Sequence, residues 1–257
     1  MKFGVSSSCF YPLETEKAFE EIGKMGIKTA EIFFNSPMEL QGEIFDKILK
    51  TKEEYSIDVC SVHPCTSSCE PFFFFSEYER RFYDLLEFYK RYFDVCNKLD
   101  SKLLIIHGMR YQKRIPDEEY FERFLRIIEE GKKFSVTVCQ ENVFGHVSAD
   151  PDFLKKMKAY LSDDFKFVFD IKQMRRSFHT EDEFFDEFSK NLVHIHISDG
   201  TFTQNCLPPG EGDYDMKSFL EKIKSYGYDG KCIIELYRSN YKDYSQIKKA
   251  YDYLEGL

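Results

Sequence analysis

Apolar residues along this chain gather into eight short, nearly continuous runs, separated mostly by stretches in which apolar positions recur every third or fourth residue. The runs are KFGVSS, TAEIFF, IDVCSVH, KLLIIH, VTVCQEN, FKFVFD, LVHIHIS and KCIIELY. Each has the length of a strand and is rich in Val, Ile and Phe, which predicts β structure buried on both faces. Between them ETEKAFEEIGKMG, SEYERRFYDLLEFYKRYFDVCNKL, DEEYFERFLRIIEEGKK, EDEFFDEFSKNL, DMKSFLEKIKSYG and SQIKKAYDYLEGL have helical spacing, several with Gly near the end. Strand alternating with helix implies parallel pairing, and eight such units closed on themselves need roughly 250 residues. The 257 residues are therefore expected to form one α/β domain, residues 1–257, with a (β/α)8 barrel architecture. The rival open sheet that binds a dinucleotide would want GxGxxG directly after a strand, and no such loop is present.

In a barrel of this kind chemistry sits at the C-terminal strand ends. There the chain carries Glu31, His63, His107, Glu141 with Asn142, Asp170, His196 and Glu235. In HIHISDG the alternation of an extended chain puts His194, His196 and Ser198 on one face and Val193, Ile195 and Ile197 on the other. Buried carboxylates are costly unless paired, hydrogen-bonded or metal-bound, and Glu141, Asp170 and Glu235 each follow several apolar residues. Three acids converging with one imidazole need a cation. The oxygen and nitrogen set suits Mn²⁺ first, and also Mg²⁺, Co²⁺, Fe²⁺ or Zn²⁺.

Composition narrows the function classes. A formal charge of -9 opposes tight binding to a phosphate backbone, so no nucleic-acid partner is expected. The N-terminal MKFGVSSSCF lacks a continuous apolar segment, and no run of eighteen apolar residues occurs, so neither export nor a membrane is expected. A cytoplasmic location follows, with the eight cysteines reduced; no CxxC pair suggests a zinc ribbon, and most read as small core residues. The irregular HPCTSSCEPFFFF after the third strand offers Phe72 to Phe75 as a lid or a subunit contact in a homo-oligomer, or equally as a helix start packed on the rim.

These residues together resemble the xylose-isomerase-like TIM barrels, which include sugar phosphate isomerases and epimerases and AP endonucleases. The likeness spans essentially the whole chain. It is carried by His63-Pro64, His107 after LLII, ENVFG, VFD, HISD, the PGEGDYD loop and IIELY. The resemblance implies that Glu141, Asp170, His196 and Glu235 hold one divalent metal, with His194 a layer-filling or supporting residue. It implies an isomerase or epimerase of a small sugar, sugar phosphate or related ketone, working through a metal-stabilised enediolate with Glu141 and Glu235 as acid and base. His63, His107, Glu31, Gln173 and Arg238 would contact the substrate. A dehydratase sharing the enediolate would look the same.

Departures keep two alternatives open. The endonuclease branch places a His where Gln173 stands and an Asp-x-His pair where this chain has TFTQNCLPP, so a phosphodiester hydrolase is disfavoured. Ketose 3-epimerases carry a His at Gln173 and a Glu at Val147, which leaves room for a barrel that binds a sugar or metal without turnover. His146 or His179 would substitute from the loops, and Arg110, Arg175, Arg176 and Arg238 are candidates for a phosphate or carboxylate.

Overall fold

Eight parallel strands close into a barrel at the positions of the eight apolar runs in the computed structural model, which describes residues 1–112 and 115–257. They are β1 (Lys2–Ser6), β2 (Thr29–Phe33), β3 (Asp58–His63), β4 (Leu103–Ile106), β5 (Thr137–Glu141), β6 (Phe167–Asp170), β7 (Leu192–Ile197) and β10 (Lys231–Ile234). Going round the barrel the order is β1-β10-β7-β6-β5-β4-β3-β2. A small antiparallel hairpin, β8 (Asp199–Gly200) with β9 (Asn205–Leu207), follows β7 and was not visible in the apolar pattern, because two- and three-residue strands carry no periodicity.

The six helical patterns form α1 (Thr15–Lys24), α4 (Glu79–Lys98), α5 (Asp117–Lys133), α8 (Glu181–Phe188), α9 (Met216–Ser225) and α10 (Ser245–Glu255). Local chemistry sets their ends. In α5 acids fill the first turn and Lys132 and Lys133 the last, complementing the helix dipole, and α8 begins with a capping box between Thr180 and Glu183. The structure adds α2 (Gly42–Tyr55) and α6 (Pro151–Leu161), plus the short α3 (Glu70–Phe73) and α7 (Ile171–Arg176). Among its fourteen residues α2 buries only Phe45, Ile48 and Thr51, so its apolar stripe is thin.

Register carries the polar residues to one end. Asp170 on β6 lies opposite His196 on β7, and Glu31 on β2 lies opposite Ser61 on β3 and Ser6 on β1. One layer down, two residues before His107, Glu141 and Asp170, the side chains Ile105, Cys139 and Val168 pack together. This apolar layer closes the barrel beneath the polar one.

The aromatic run divides. Phe74 and Phe75 are buried, Phe74 edge-on to Tyr89 and Phe75 stacked on Tyr120 at 4.1 Å between ring centroids, while Phe72 and Phe73 remain exposed in part. The packed-rim reading describes two of the four rings. All eight cysteines are free. Among the described residues no helix is long and apolar enough to cross a membrane.

Candidate metal centre and substrate cleft

Glu141, Asp170, His196 and Glu235 each bring one ligand atom to within 4.8 Å of all the others. The strand ends that hold them are tied together. Asn142 Nδ2 donates to the Asp170 carbonyl at 3.1 Å and the Asp170 N–H donates to Asn142 Oδ1 at 2.7 Å, joining β5 to β6. Asp170 Oδ1 accepts from the Gln173 N–H at 2.9 Å, capping α7, and this turns Oδ2 towards His196, 3.7 Å from its Nδ1.

His196 has carboxylates at both ring nitrogens. Its Nδ1 lies 3.2 Å from Glu141 Oε1 and 3.7 Å from Glu235 Oε2, while its Nε2 lies 3.0 Å from Glu31 Oε2. Burial disfavours the imidazolium, but Glu31, Glu235 and Glu141 override it and hold the His196 pKa well above its ordinary value. With Nε2 against Glu31, Nδ1 is the nitrogen that faces Glu141, Asp170 and Glu235, and a carboxylate behind the ring is the arrangement ligand histidines use.

Glu31, expected to hold a substrate hydroxyl, is instead wholly buried beneath His196. Its oxygens accept from Ser6 Oγ at 3.0 Å and Ser61 Oγ at 2.8 Å, and His194 Nε2 lies 3.4 Å away. Burial pushes its carboxyl up, yet His196 and His194 bring it well below the usual range. It meets His196 at Nε2, while Glu141, Asp170 and Glu235 stand against Nδ1. His194 fills the layer below, its ring edge-on to His196 at 5.2 Å.

Glu141 is met by three imidazoles. His107 Nε2 comes to 3.1 Å and His63 Nε2 to 3.7 Å from its Oε2, and the two histidines lie 2.9 Å apart through their Nε2 atoms. Burial raises the Glu141 carboxyl and the neighbouring histidines, His196 foremost, lower it well below the ordinary value. Despite the short approach of His107, Oε2 is buried without a hydrogen bond of good geometry. An acceptor left in that state costs free energy unless a cation meets it. His63 is itself buried, stacked on Phe33 and bonded to Ser67, so His107 is the member of the pair that reaches the open space.

That space is a cleft of about 510 Å³, lined by Tyr11, Phe33, Asn35, His107, Glu141, Lys172, Gln173, Glu235, Tyr237 and Arg238 among others. Its size and largely apolar walls with a few convergent polar groups are those of a small-molecule site. Two of the expected substrate contacts are already engaged. Arg238 stacks on Tyr241 and donates to the carbonyls of Tyr241 and Lys242, and Gln173 Oε1 accepts from the Phe144 N–H at 3.1 Å. Arg175 donates to the Gly200 and Thr201 carbonyls, and Arg176 stacks on Phe144. His179 pairs with Glu183, and Val147 is buried in a short turn rather than turned to the cleft. His146 is held near pH 4 by burial and by His107.

Three residues of the site were given no role by the sequence, although Asp199 stands in the HISD motif. Lys172 Nζ lies 2.6 Å from both Asp170 Oδ2 and Glu235 Oε2, and the Asp-Ile-Lys spacing at a strand end was the available signal. Burial opposes its charge, but Asp170 and Glu235 keep the ammonium well above its ordinary pKa. With Lys172 and His196 beside it, the Glu235 carboxyl falls below its usual value against burial; Asp170, where burial outweighs Lys172, is raised. Glu70, inside the irregular stretch, accepts the N–H groups of His107 and Gly108 at 2.9 and 2.7 Å and so seats His107. Asp199 of HISD accepts the N–H groups of Gly200, Gly210 and Tyr214, which pins the PGEGDYD loop beside β7. The loop passes so close that a Cβ on Gly212 would lie 2.2 Å from Asp199 Oδ1.

With this geometry in view, residues 19–257 match the family model described as xylose isomerase-like TIM barrel. The chain belongs to that family. An uncharacterized protein of Methanocaldococcus jannaschii is 25% identical over 271 residues, covering 99% of this chain and 90% of that protein. Among solved structures, a D-tagatose 3-epimerase-like protein superposes with a TM-score of 0.80 at 22% identity, over 100% of this chain and 96% of its own. The IolI protein with a bound zinc atom superposes with a TM-score of 0.78 at 15% identity, over 100% and 96%. These likenesses bear on the fold, and the family's closed barrel agrees with the one observed.

Proposed function

We propose that this chain is a divalent-metal-dependent isomerase or epimerase of a small sugar or related ketone, with Glu141 and Glu235 as the acid and base. The observation that carries it is the convergence of Glu141, Asp170, His196 and Glu235 beside a cleft of about 510 Å³. Two features of this donor set fit a metal: Glu141 Oε2, buried without a hydrogen bond of good geometry, and the presence of an ammonium, Lys172, already standing against two of the three carboxylates. The four would hold one ion, Mn²⁺ before Mg²⁺, Co²⁺, Fe²⁺ or Zn²⁺. Held by these four residues, such an ion would supply Lewis-acid polarisation of a carbonyl and so make the adjacent C–H more acidic.

The chain's own residues do the rest. Glu141 ends β5 and Glu235 follows β10, strands that flank β6 and β7 in the barrel, and both carboxylates approach His196 Nδ1, so one takes the proton from carbon and the other returns one. His107, seated by Glu70, donates to a hydroxyl at the rim, with His63 orienting it from behind. Tyr11, Phe33 and Tyr237 supply apolar faces for the C–H side of a sugar ring and keep water from the reacting carbon. Gln173 contributes its amide NH₂, the oxygen being engaged. Arg175 and Arg238 are spent on backbone carbonyls, which favours an uncharged sugar over a sugar phosphate. The D-tagatose 3-epimerase-like protein among similar structures, and the zinc in IolI, support the same class. The eight free cysteines suit the cytoplasm.

The test is solvent exchange. Metal-loaded protein incubated with a panel of ketoses in D₂O should place deuterium on the carbon beside the carbonyl of its substrate. Absence of exchange across ketohexoses, ketopentoses and keto-inositols, with metal bound, would leave the non-catalytic binding barrel as the better reading.

A further inference from the structure

Lys172 is the feature of the centre that the proposed chemistry does not need. It is the second residue of α7, and its side chain folds back so that Nζ reaches Asp170 Oδ2 and Glu235 Oε2 at 2.6 Å each. Those are the two oxygens that lie 3.7 Å from His196 Nδ1. The lysine therefore holds the same atoms that a metal bound by His196, Asp170 and Glu235 would take. Its side chain is only 2% exposed, so the contact is made out of water. Among the described residues no other lysine or arginine is ion-paired with Glu141, Asp170 or Glu235.

Three carboxylates at this separation repel one another in a poorly screened interior, and the repulsion must be met whether or not a metal is present. Lysine suits a temporary partner, being a point charge on a flexible stem. The way out is marked by Tyr237, whose ring centre is 5.3 Å from Nζ and which lines the open cleft.

We propose that Lys172 is a tethered counter-cation of the metal centre, bridging Asp170 and Glu235 while the centre is metal-free and competing with the metal for these two oxygens. Metal binding is then an exchange, in which the ammonium leaves towards Tyr237, rather than an addition to a vacant site. Two consequences follow: the metal-free protein is steadier than its three clustered acids would allow, and the metal is held more weakly than four such ligands would otherwise hold it. The opposite arrangement, in which Lys172 stays to neutralise a centre of three carboxylates and one dication, makes the lysine an aid to metal binding. The two have opposite signs, and this inference rests on the metal reading above.

The experiment compares wild type with Lys172→Met by calorimetric titration of metal-free protein with Mn²⁺ and with Zn²⁺ at fixed pH and salt, together with thermal unfolding in EDTA. The variant is expected to bind each metal about tenfold or more tighter, a change of about 1.4 kcal/mol for each factor of ten. It is also expected to melt at a lower temperature than wild type in EDTA and to gain more from added Mn²⁺. If Lys172→Met folds only with metal present, chelator competition on the metal-loaded proteins gives the same affinity ratio. Equal or weaker binding by the variant overturns the proposal while leaving the metal centre intact. Failure of both proteins to bind Mn²⁺ or Zn²⁺ overturns the metal reading and this inference with it. Binding by the variant alone supports the inference in its strongest form.

Discussion

Replacing Glu31 by Gln keeps the size of the side chain and removes the one negative charge on the far side of His196. The partners lie 3.0 Å apart, both essentially inaccessible to water. At an effective dielectric of about 20, two unit charges at that distance interact by about 5 kcal/mol, and removing one member of a buried pair typically costs about 3–5 kcal/mol. Gln retains an oxygen for Ser6 or Ser61, so a loss of about 3 kcal/mol is expected for Glu31→Gln in metal-free protein. The sign with pH follows from the two shifts. Glu31 is depressed in the fold, so its contribution is present above its unfolded pKa near 4.5 and is lost as pH falls through the folded value. His196 is raised, so its contribution is present below its unfolded pKa near 6.5 and is lost as pH rises through the folded value. The difference between the proteins should therefore be largest at about pH 5–6 and shrink on either side. Urea unfolding in EDTA across pH 4 to 9 measures it. A variant within about 0.5 kcal/mol of wild type at pH 6 would show that the pair is not what holds His196. A metal affinity reduced about 10–100-fold should accompany the loss, since the far-side partner orients the ligand.

Glu70 shows the opposite sign. Burial, against His107 and two backbone N–H groups, raises its carboxyl from 4.5 to about 7, so the neutral acid is favoured in the fold and wild type loses stability as pH rises from about 4.5 to 7. Glu70→Gln should remove that slope, which parallel thermal-unfolding profiles of the two proteins would contradict. Glu235→Gln should leave the fold intact, weaken Mn²⁺ binding and abolish deuterium exchange into substrate, because a ligand charge and a base disappear together; unchanged exchange would remove Glu235 from the chemistry. Gly212→Ala puts a methyl 2.2 Å from Asp199 Oδ1 and 2.6 Å from the Gly200 carbonyl, so the loop must shift. A cost of about 1–3 kcal/mol is expected from such overpacking, and an unchanged melt would show that the loop yields freely to the added methyl.

The barrel was legible because burial on both faces writes a strand as an unbroken apolar run, and eight such runs leave few other closures. The helix α2 was not legible because its buried face is three residues wide, and the β8–β9 hairpin because it is too short to show a period. For the site, strand-end position brought Glu141, Asp170, His196 and Glu235 to attention, and they do converge. Period two says which side of a strand faces the barrel axis but not how deep a residue lies, which is why Glu31 was expected at the cleft and is found under His196. Lys172 escaped because it belongs to the first turn after the strand, and a lysine is not a ligand for a cation. Glu70 escaped because only the fold brings it from α3 to the end of β4.

The most direct test of the central claim is the metal content of protein purified without chelator, measured per chain by elemental analysis and repeated after incubation with Mn²⁺. About one equivalent of a single divalent metal is predicted for wild type, falling sharply in the His196→Ala and Asp170→Ala proteins. No bound metal under either condition, or two to three zinc ions per chain, would contradict a mononuclear centre built from Glu141, Asp170, His196 and Glu235.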